Sequence, residues 1–132
     1  MYSFGPASKE RLATLHPLLQ KLLNELIKYY DFSILEGHRG KELQDKYFKE
    51  GLSEVQWPNG MHNHYPSLAV DIAPYPIDWE DAERFCHFMG YLQCLADQMG
   101  IAVRWGGDWD SDGRMLDENF RDYPHIELVI NN

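Results

Sequence analysis

No stretch of this chain stays apolar for the roughly 20 residues that a membrane helix needs, so no membrane anchor is expected. The opening residues, MYSFGPASKERL, have neither a basic leader nor an apolar core, and no signal peptide is expected from them. Cysteine is scarce: Cys86 and Cys94 only, eight positions apart in a segment that reads as helix. Eight helical residues span about 12 Å, beyond the roughly 4.4–6.8 Å between the Cα atoms of a disulfide. No Cys-x-x-Cys pair offers metal-ligand spacing. Both cysteines are therefore read as buried thiols of a reducing compartment, and synthesis in a cytoplasm is expected. Clustered base is missing too. Residues 1–66 balance eight acids with eight bases, whereas residues 67–132 hold thirteen acids and four bases. An acidic half argues against a nucleic-acid partner, which needs grouped Lys and Arg. It suits a chain that holds cations, and equally one that is merely kept soluble.

What is present is a globular composition, 44% hydrophobic and 14% aromatic over 132 residues, enough for a single domain over residues 1–132. Ser8 can cap a helix whose apolar positions run from Leu12 to Ile27 and reach about Tyr30, with a break or kink at Pro17 near His16. DFSILEG reads as a strand and GKELQDKYFKEG as a helix stopped by Gly51. After a turn-rich loop, LAVDIA is a strand. Asp78 is the expected cap of the next helix, which buries Trp79, Ala82, Cys86, Met89, Leu92, Ala96 and Met99 and stops at Gly100. IAVRW and HIELVI are strands around a second long loop. The pattern predicts an α+β fold, a small antiparallel sheet with helices packed on it. Loops this long in so small a domain tend to carry function.

HNHYPSLAVD, residues 62–71, concentrates metal-ligand types. The adjacent letters His-Asn-His are not a nuclease signature, which names residues scattered through a larger motif. His64 and Asp71 lie seven apart, and His125 opens the last strand. Two imidazoles and a carboxylate meet the ligand count of a catalytic zinc, which needs three protein ligands and an open position. The same residues serve as well in turns or satisfied core positions, and spacing alone does not choose. Asp122, three before His125 and stiffened by Pro124, stands where a general base could reach a water without being a ligand; an Asx-turn is its structural alternative. For Arg39 the structural alternative is an ion pair with Glu36 or Glu42. DWDSDG, residues 108–113, opens like a calcium loop with Asp108, Asp110 and Asp112, but position twelve is Asn119 rather than Glu. A modified Ca2+ site that orders Asp122 and a solvated acidic turn both fit.

HNHYPSLAVD resembles the Ser-x-His-x-x-Gly-x-Ala-x-Asp motif of the zinc D-alanyl-D-alanine peptidase family, which includes phage L-alanyl-D-glutamate endopeptidases. His64, Ala69 and Asp71 match, while His62 replaces Ser and Ser67 replaces Gly. DYPHIEL resembles the closing Asp-x-Pro-His-Phe-Glu segment. GHRGKELQDKYFKEG is similar to Gly-Tyr-Arg-Ser-x-x-x-Gln, matching Arg39 and Gln44, and RWGGDW recurs in phage-type members. The matches run in order from about Leu15 to Leu128.

The resemblance implies a Hedgehog/D-Ala-D-Ala peptidase-like fold. It implies Zn2+ held by His64, Asp71 and His125, with Asp122 as acid/base and Arg39 facing the substrate carbonyl or oxyanion. His62 is left as a fourth ligand, a support for a ligand or a substrate contact. Glu127, on the strand face of His125, is read as orienting that imidazole, and Gln44 as a neighbour of the site. The implied substrate is the stem peptide of bacterial peptidoglycan, cut as an L-alanyl-D-glutamate endopeptidase endolysin of a phage or prophage would cut it. A D,D-carboxypeptidase or dipeptidase of the same family is one alternative, and a non-catalytic zinc-containing binding module is another. A monomer is expected, made in the host cytoplasm and reaching the wall after another protein permeabilises the membrane.

Overall fold

The computed structural model describes residues 2–108, 111 and 122–130. Its elements are α1 (Pro6–Leu12), α2 (Pro17–Leu26), β1 (Phe32–Glu36), α3 (Lys41–Lys49), a 3-10 turn (Met61–Asn63), β2 (Ala69–Pro74), α4 (Ala82–Gln98), β3 (Val103–Trp105) and β4 (His125–Leu128). Among the described residues no helix is long and apolar enough to cross a membrane.

The N-terminal apolar run is split as Pro17 requires. Pro17 opens α2, where its missing N–H is no loss, and the His16 Nδ1 caps the helix by accepting from Leu18 N at 3.1 Å. Ser8 is not the cap expected of it. It is buried inside α1, and its hydroxyl accepts from Ile34 N at 3.0 Å, tying α1 to β1. α4 likewise starts later than expected: Asp81, not Asp78, caps it by accepting from Arg84 N at 3.1 Å. Asp78 instead closes a turn onto Glu80 N, so Trp79 stays exposed outside the helix and stacks on Phe85. Cys94 is exposed and Cys86 half-buried, rather than both buried.

The four strands form one antiparallel sheet in the order β1-β2-β4-β3. Alternation along the strands sorts the side chains onto two faces. Ile34, Val70, Ile72, Ile126 and Leu128 join the core with Leu19, Leu22, Leu23 and Leu26 of α2 and Phe88, Met89, Leu92 and Ala96 of α4. Asp71, His125 and Glu127 therefore point to the opposite face. On β1 the register slips between Ile34 and Glu36, so Ile34 opposes Ile72 while Glu36 opposes Asp71. This bulge at Leu35 turns the Glu36 carboxylate onto the face of Asp71, as bulges re-aim side chains elsewhere.

Candidate active site

Strand register builds the centre of the site. Asp71 of β2 lies directly opposite His125 of β4, and Glu36 of β1 flanks Asp71 on its other side. The third group comes from the 3-10 turn. Asn63 holds that turn: its Oδ1 accepts from Gly60 N at 2.8 Å, and its Nδ2 donates to Arg39 O and Gln44 Oε1. His62 is thereby aimed inward. Its Nδ1 donates to Gly37 O at 2.8 Å, which turns Nε2 toward Asp71 Oδ1 at 3.2 Å. Gly37 can bring its carbonyl there because it packs against the turn after α1, where a Cβ would collide with Thr14 Oγ1 and lie 2.8 Å from Arg11 O.

His125 is held the same way from the other side. Its Nε2 donates to Glu127 Oε1 at 2.9 Å, and its Nδ1 faces Asp71 Oδ1 at 3.4 Å. His62, Asp71 and His125 each offer one ligand atom, and these lie within 4.8 Å of one another. Two imidazole nitrogens, each with its second nitrogen already hydrogen-bonded, and one carboxylate oxygen are the donor set of a catalytic zinc. The residues fit the ion that the sequence calls for.

One expected ligand is placed elsewhere. His64 is solvent-exposed and is not part of the cluster, whose second imidazole is His62. The reason is the path of the chain. After the 3-10 turn, His64, Tyr65 and Pro66 run out over the surface, with Tyr65 edge-on to His38. The chain re-enters at Ser67, which is fully buried, donates its N–H to Thr14 O and accepts from His16 N. The loop from the inward imidazole to Asp71 thus has two more residues than the seven-residue motif step allows. The signals for this were Pro66-Ser67 where the motif has glycine and Asn63 beside His62. Ser67 causes no strain, since its φ is not positive; its hydroxyl donates to Ala69 O at 2.7 Å.

Around the three ligands lies a cavity of about 900 Å³, whose wall includes Arg39, Gln44, Asp122 and Arg104. Arg39 is buried, not a surface ion pair. Its guanidinium donates to both Glu36 oxygens (2.8 and 3.2 Å) and to Gln44 Oε1 (2.9 Å), lies over the Tyr47 ring, and stands 3.7 Å from Asp71 Oδ2. Gln44 is a bracket for Arg39, with its own Nε2 donating to Ser53 Oγ and Val55 O. Glu36, which the sequence reading gave no part in the site beyond a surface pair, is the main anchor of this cation.

Asp122 reaches the site from the turn before β4, with Oδ2 4.0 Å from His125 Nδ1. Its N–H donates to Gly106 O, and its carbonyl accepts from His125 N. Gly106 must be glycine here, because a Cβ would strike Asp122 O and lie 2.9 Å from Asp122 Cβ. Of the proposed calcium ligands, Asp108 is buried beside Trp105, while Asp110 and Asp112 lie outside the described residues.

The electrostatics separate the carboxyl groups. Burial works to raise Asp71, but attraction to His62 and hydrogen bonds from His125 and His62 outweigh it and hold Asp71 well below the usual carboxylate range. Asp122 moves the opposite way: burial, then repulsion by Asp71, push it up. Burial disfavours charge on His125, yet hydrogen bonds to Asp71 and Glu127 raise it to about 9. Two nearby carboxyl groups driven apart in this way are what acid/base chemistry needs.

Comparison with known proteins agrees with this geometry. The chain is 34% identical to the L-alanyl-D-glutamate peptidase of Escherichia phage T5, over 97% of this chain and 98% of that protein. Its fold matches the crystal structure of the Serratia marcescens L-Ala D-Glu endopeptidase ChiX with a TM-score of 0.76 and 27% identity, over 96% of this chain and 89% of that one. The family model for phage L-alanyl-D-glutamate peptidases matches residues 1–129, and the chain belongs to that family.

Proposed function

We propose that this chain is a zinc-dependent endopeptidase that hydrolyses the L-alanyl–D-glutamate bond of peptidoglycan stem peptides. The observation that carries the reading is the convergence of His62, Asp71 and His125, with the Asp122 carboxyl beside them in one cavity. Its relatives' names supply the substrate: one is an L-alanyl-D-glutamate peptidase and another an L-Ala D-Glu endopeptidase.

His62 Nε2, His125 Nδ1 and an Asp71 oxygen would hold the ion, with Gly37 O and Glu127 fixing the two imidazole rings. When bound, the ion supplies Lewis acidity toward a carbonyl oxygen and a water molecule. Asp122 takes a proton from the water that attacks the alanyl carbonyl carbon. As the C–N bond breaks, it passes that proton to the glutamyl nitrogen, leaving an alanyl carboxylate and a free amine. The raised Asp122 carboxyl suits a group that must both accept and return a proton. Arg39, locked by Glu36 and Gln44, presents fixed positive charge to oxygen that becomes negative only in the transition state. We assign the chain a monomeric, single-domain state and a site of action in the bacterial wall, reached after another protein opens the membrane.

Product analysis on defined muropeptides tests this. Endopeptidase action frees the alanyl carboxyl end and a glutamyl amine, and a chelator abolishes it. Release of D-alanine would mark a D,D-carboxypeptidase instead, and zinc binding with no cleavage a binding module.

A further inference from the structure

A stem peptide is anionic, and the cavity meant to receive it is lined by carboxylates, Glu36, Asp71, Asp122 and Glu127 among them. Two guanidinium groups, Arg39 and Arg104, share that wall. They are placed very differently. Arg39 has a side chain only 9% exposed and is wrapped by Glu36, Gln44 and Tyr47. The Arg104 side chain is 43% exposed, although its Nη2 donates to Glu127 Oε2 at 2.6 Å.

Arg104 on β3 is the register partner of Glu127 on β4. Glu127 in turn holds His125, two residues along the same strand face. One buried carboxylate therefore links a metal-site imidazole to a half-exposed cation. Glu127 fixes one edge of the guanidinium, and the planar fork suits a carboxylate in two-point contact. In an L-alanyl–D-glutamyl peptide the α-carboxylate sits on the carbon bonded to the scissile nitrogen, beside the reacting centre on the leaving-group side.

We infer that Arg104 is a specificity-determining residue that binds the free α-carboxylate of the D-glutamyl residue, so that stems with glutamate are preferred over stems amidated to isoglutamine. The inference rests on the endopeptidase function proposed above. It assigns the two arginines separate tasks: Arg39 meets charge that develops during reaction, and Arg104 meets charge the substrate already carries. The carboxyl groups of the wall contribute by repelling any stem whose anion does not reach Arg104.

The test compares kcat/KM on N-acetyl-L-Ala-γ-D-Glu-L-Lys, its D-isoglutamine counterpart, and the D-Glu peptide with diaminopimelate in third place. The wild type should favour glutamate over isoglutamine by roughly 10- to 100-fold, the scale set by hydrogen bonds to a charged group. In Arg104→Gln the ratio should fall to within about 3-fold, mainly through KM for the glutamate peptide. Calorimetry of the same peptides on zinc-loaded Asp122→Asn, with and without Arg104→Gln, reads the discrimination as affinity even if turnover of the single variant is too low. A glutamate preference that survives in Arg104→Gln, or no preference in the wild type, overturns the inference while leaving the endopeptidase intact. If Arg104→Gln changes only discrimination between lysine and diaminopimelate, the carboxylate bound is that of the third residue, and the assignment to glutamate is wrong. Cleavage of none of the three by the wild type would overturn the function itself.

Discussion

Metal binding by this chain should tighten with pH well above the range in which histidine ordinarily titrates. A metal ligand imidazole must be unprotonated at the nitrogen it offers. In the metal-free site His125 is raised from 6.5 to about 9, against the effect of burial, by Asp71 and Glu127, so near neutrality the ion must displace a proton. Each pH unit below that value costs about tenfold in apparent affinity, so the constant should improve by about 100-fold, or about 2.7 kcal/mol, between pH 7 and 9. Competition against a chelator of known pH dependence measures this. Glu127→Gln supplies the internal control, because it removes one of the two hydrogen-bonding carboxylates that raise His125. The rise should then end at lower pH, and the plateau should sit roughly 10- to 100-fold weaker from loss of the ring's support. A wild-type profile already flat above pH 7 would refute this account of His125. So would a Glu127→Gln profile of unchanged shape.

The same raised group affects the metal-free fold in a definite direction. Because His125 binds its proton more tightly folded than unfolded, its stabilisation is full below pH 6.5 and is lost as pH rises through about 9; denaturant midpoints in chelator should fall between those values, and a rise would contradict it. Gly106→Ala should displace Asp122, since its Cβ has no room against the Asp122 backbone and Cβ. Activity should drop at least about 100-fold with zinc content retained, as misplacing one reacting group costs, and near-normal turnover would show that Asp122 is seated by other contacts. Asp122→Asn should lower kcat by about 10²–10⁴ while leaving the metal bound; loss of zinc in that variant would make Asp122 a ligand rather than the proton carrier.

Much of this arrangement is legible in the sequence, because it follows from local rules. Pro17 divides the first helix, glycines with positive φ at Gly51 and Gly100 follow α3 and α4, and strand alternation puts Asp71, His125 and Glu127 on one face. What local rules miss depends on chain path and register. Which of His62 and His64 points inward depends on a 3-10 turn clamped by Asn63 and on an outward excursion at Tyr65 and Pro66, neither of which leaves a periodic trace. Glu36 joins Arg39 only because a bulge at Leu35 reverses its side. Ser8 looks like a helix cap by residue type, but Ile34, twenty-six residues away, uses its hydroxyl. Asp78 and Asp81 are chemically equal caps, and the exposed Trp79 shows that the later one won.

The most direct test of the central claim is zinc content by elemental analysis, paired with muropeptide digestion, for the wild type, His62→Ala and His64→Ala. The account predicts one zinc per chain and cleavage between L-alanine and D-glutamate for the wild type and for His64→Ala, with both lost in His62→Ala. Retention of zinc and activity in His62→Ala with their loss in His64→Ala would contradict it.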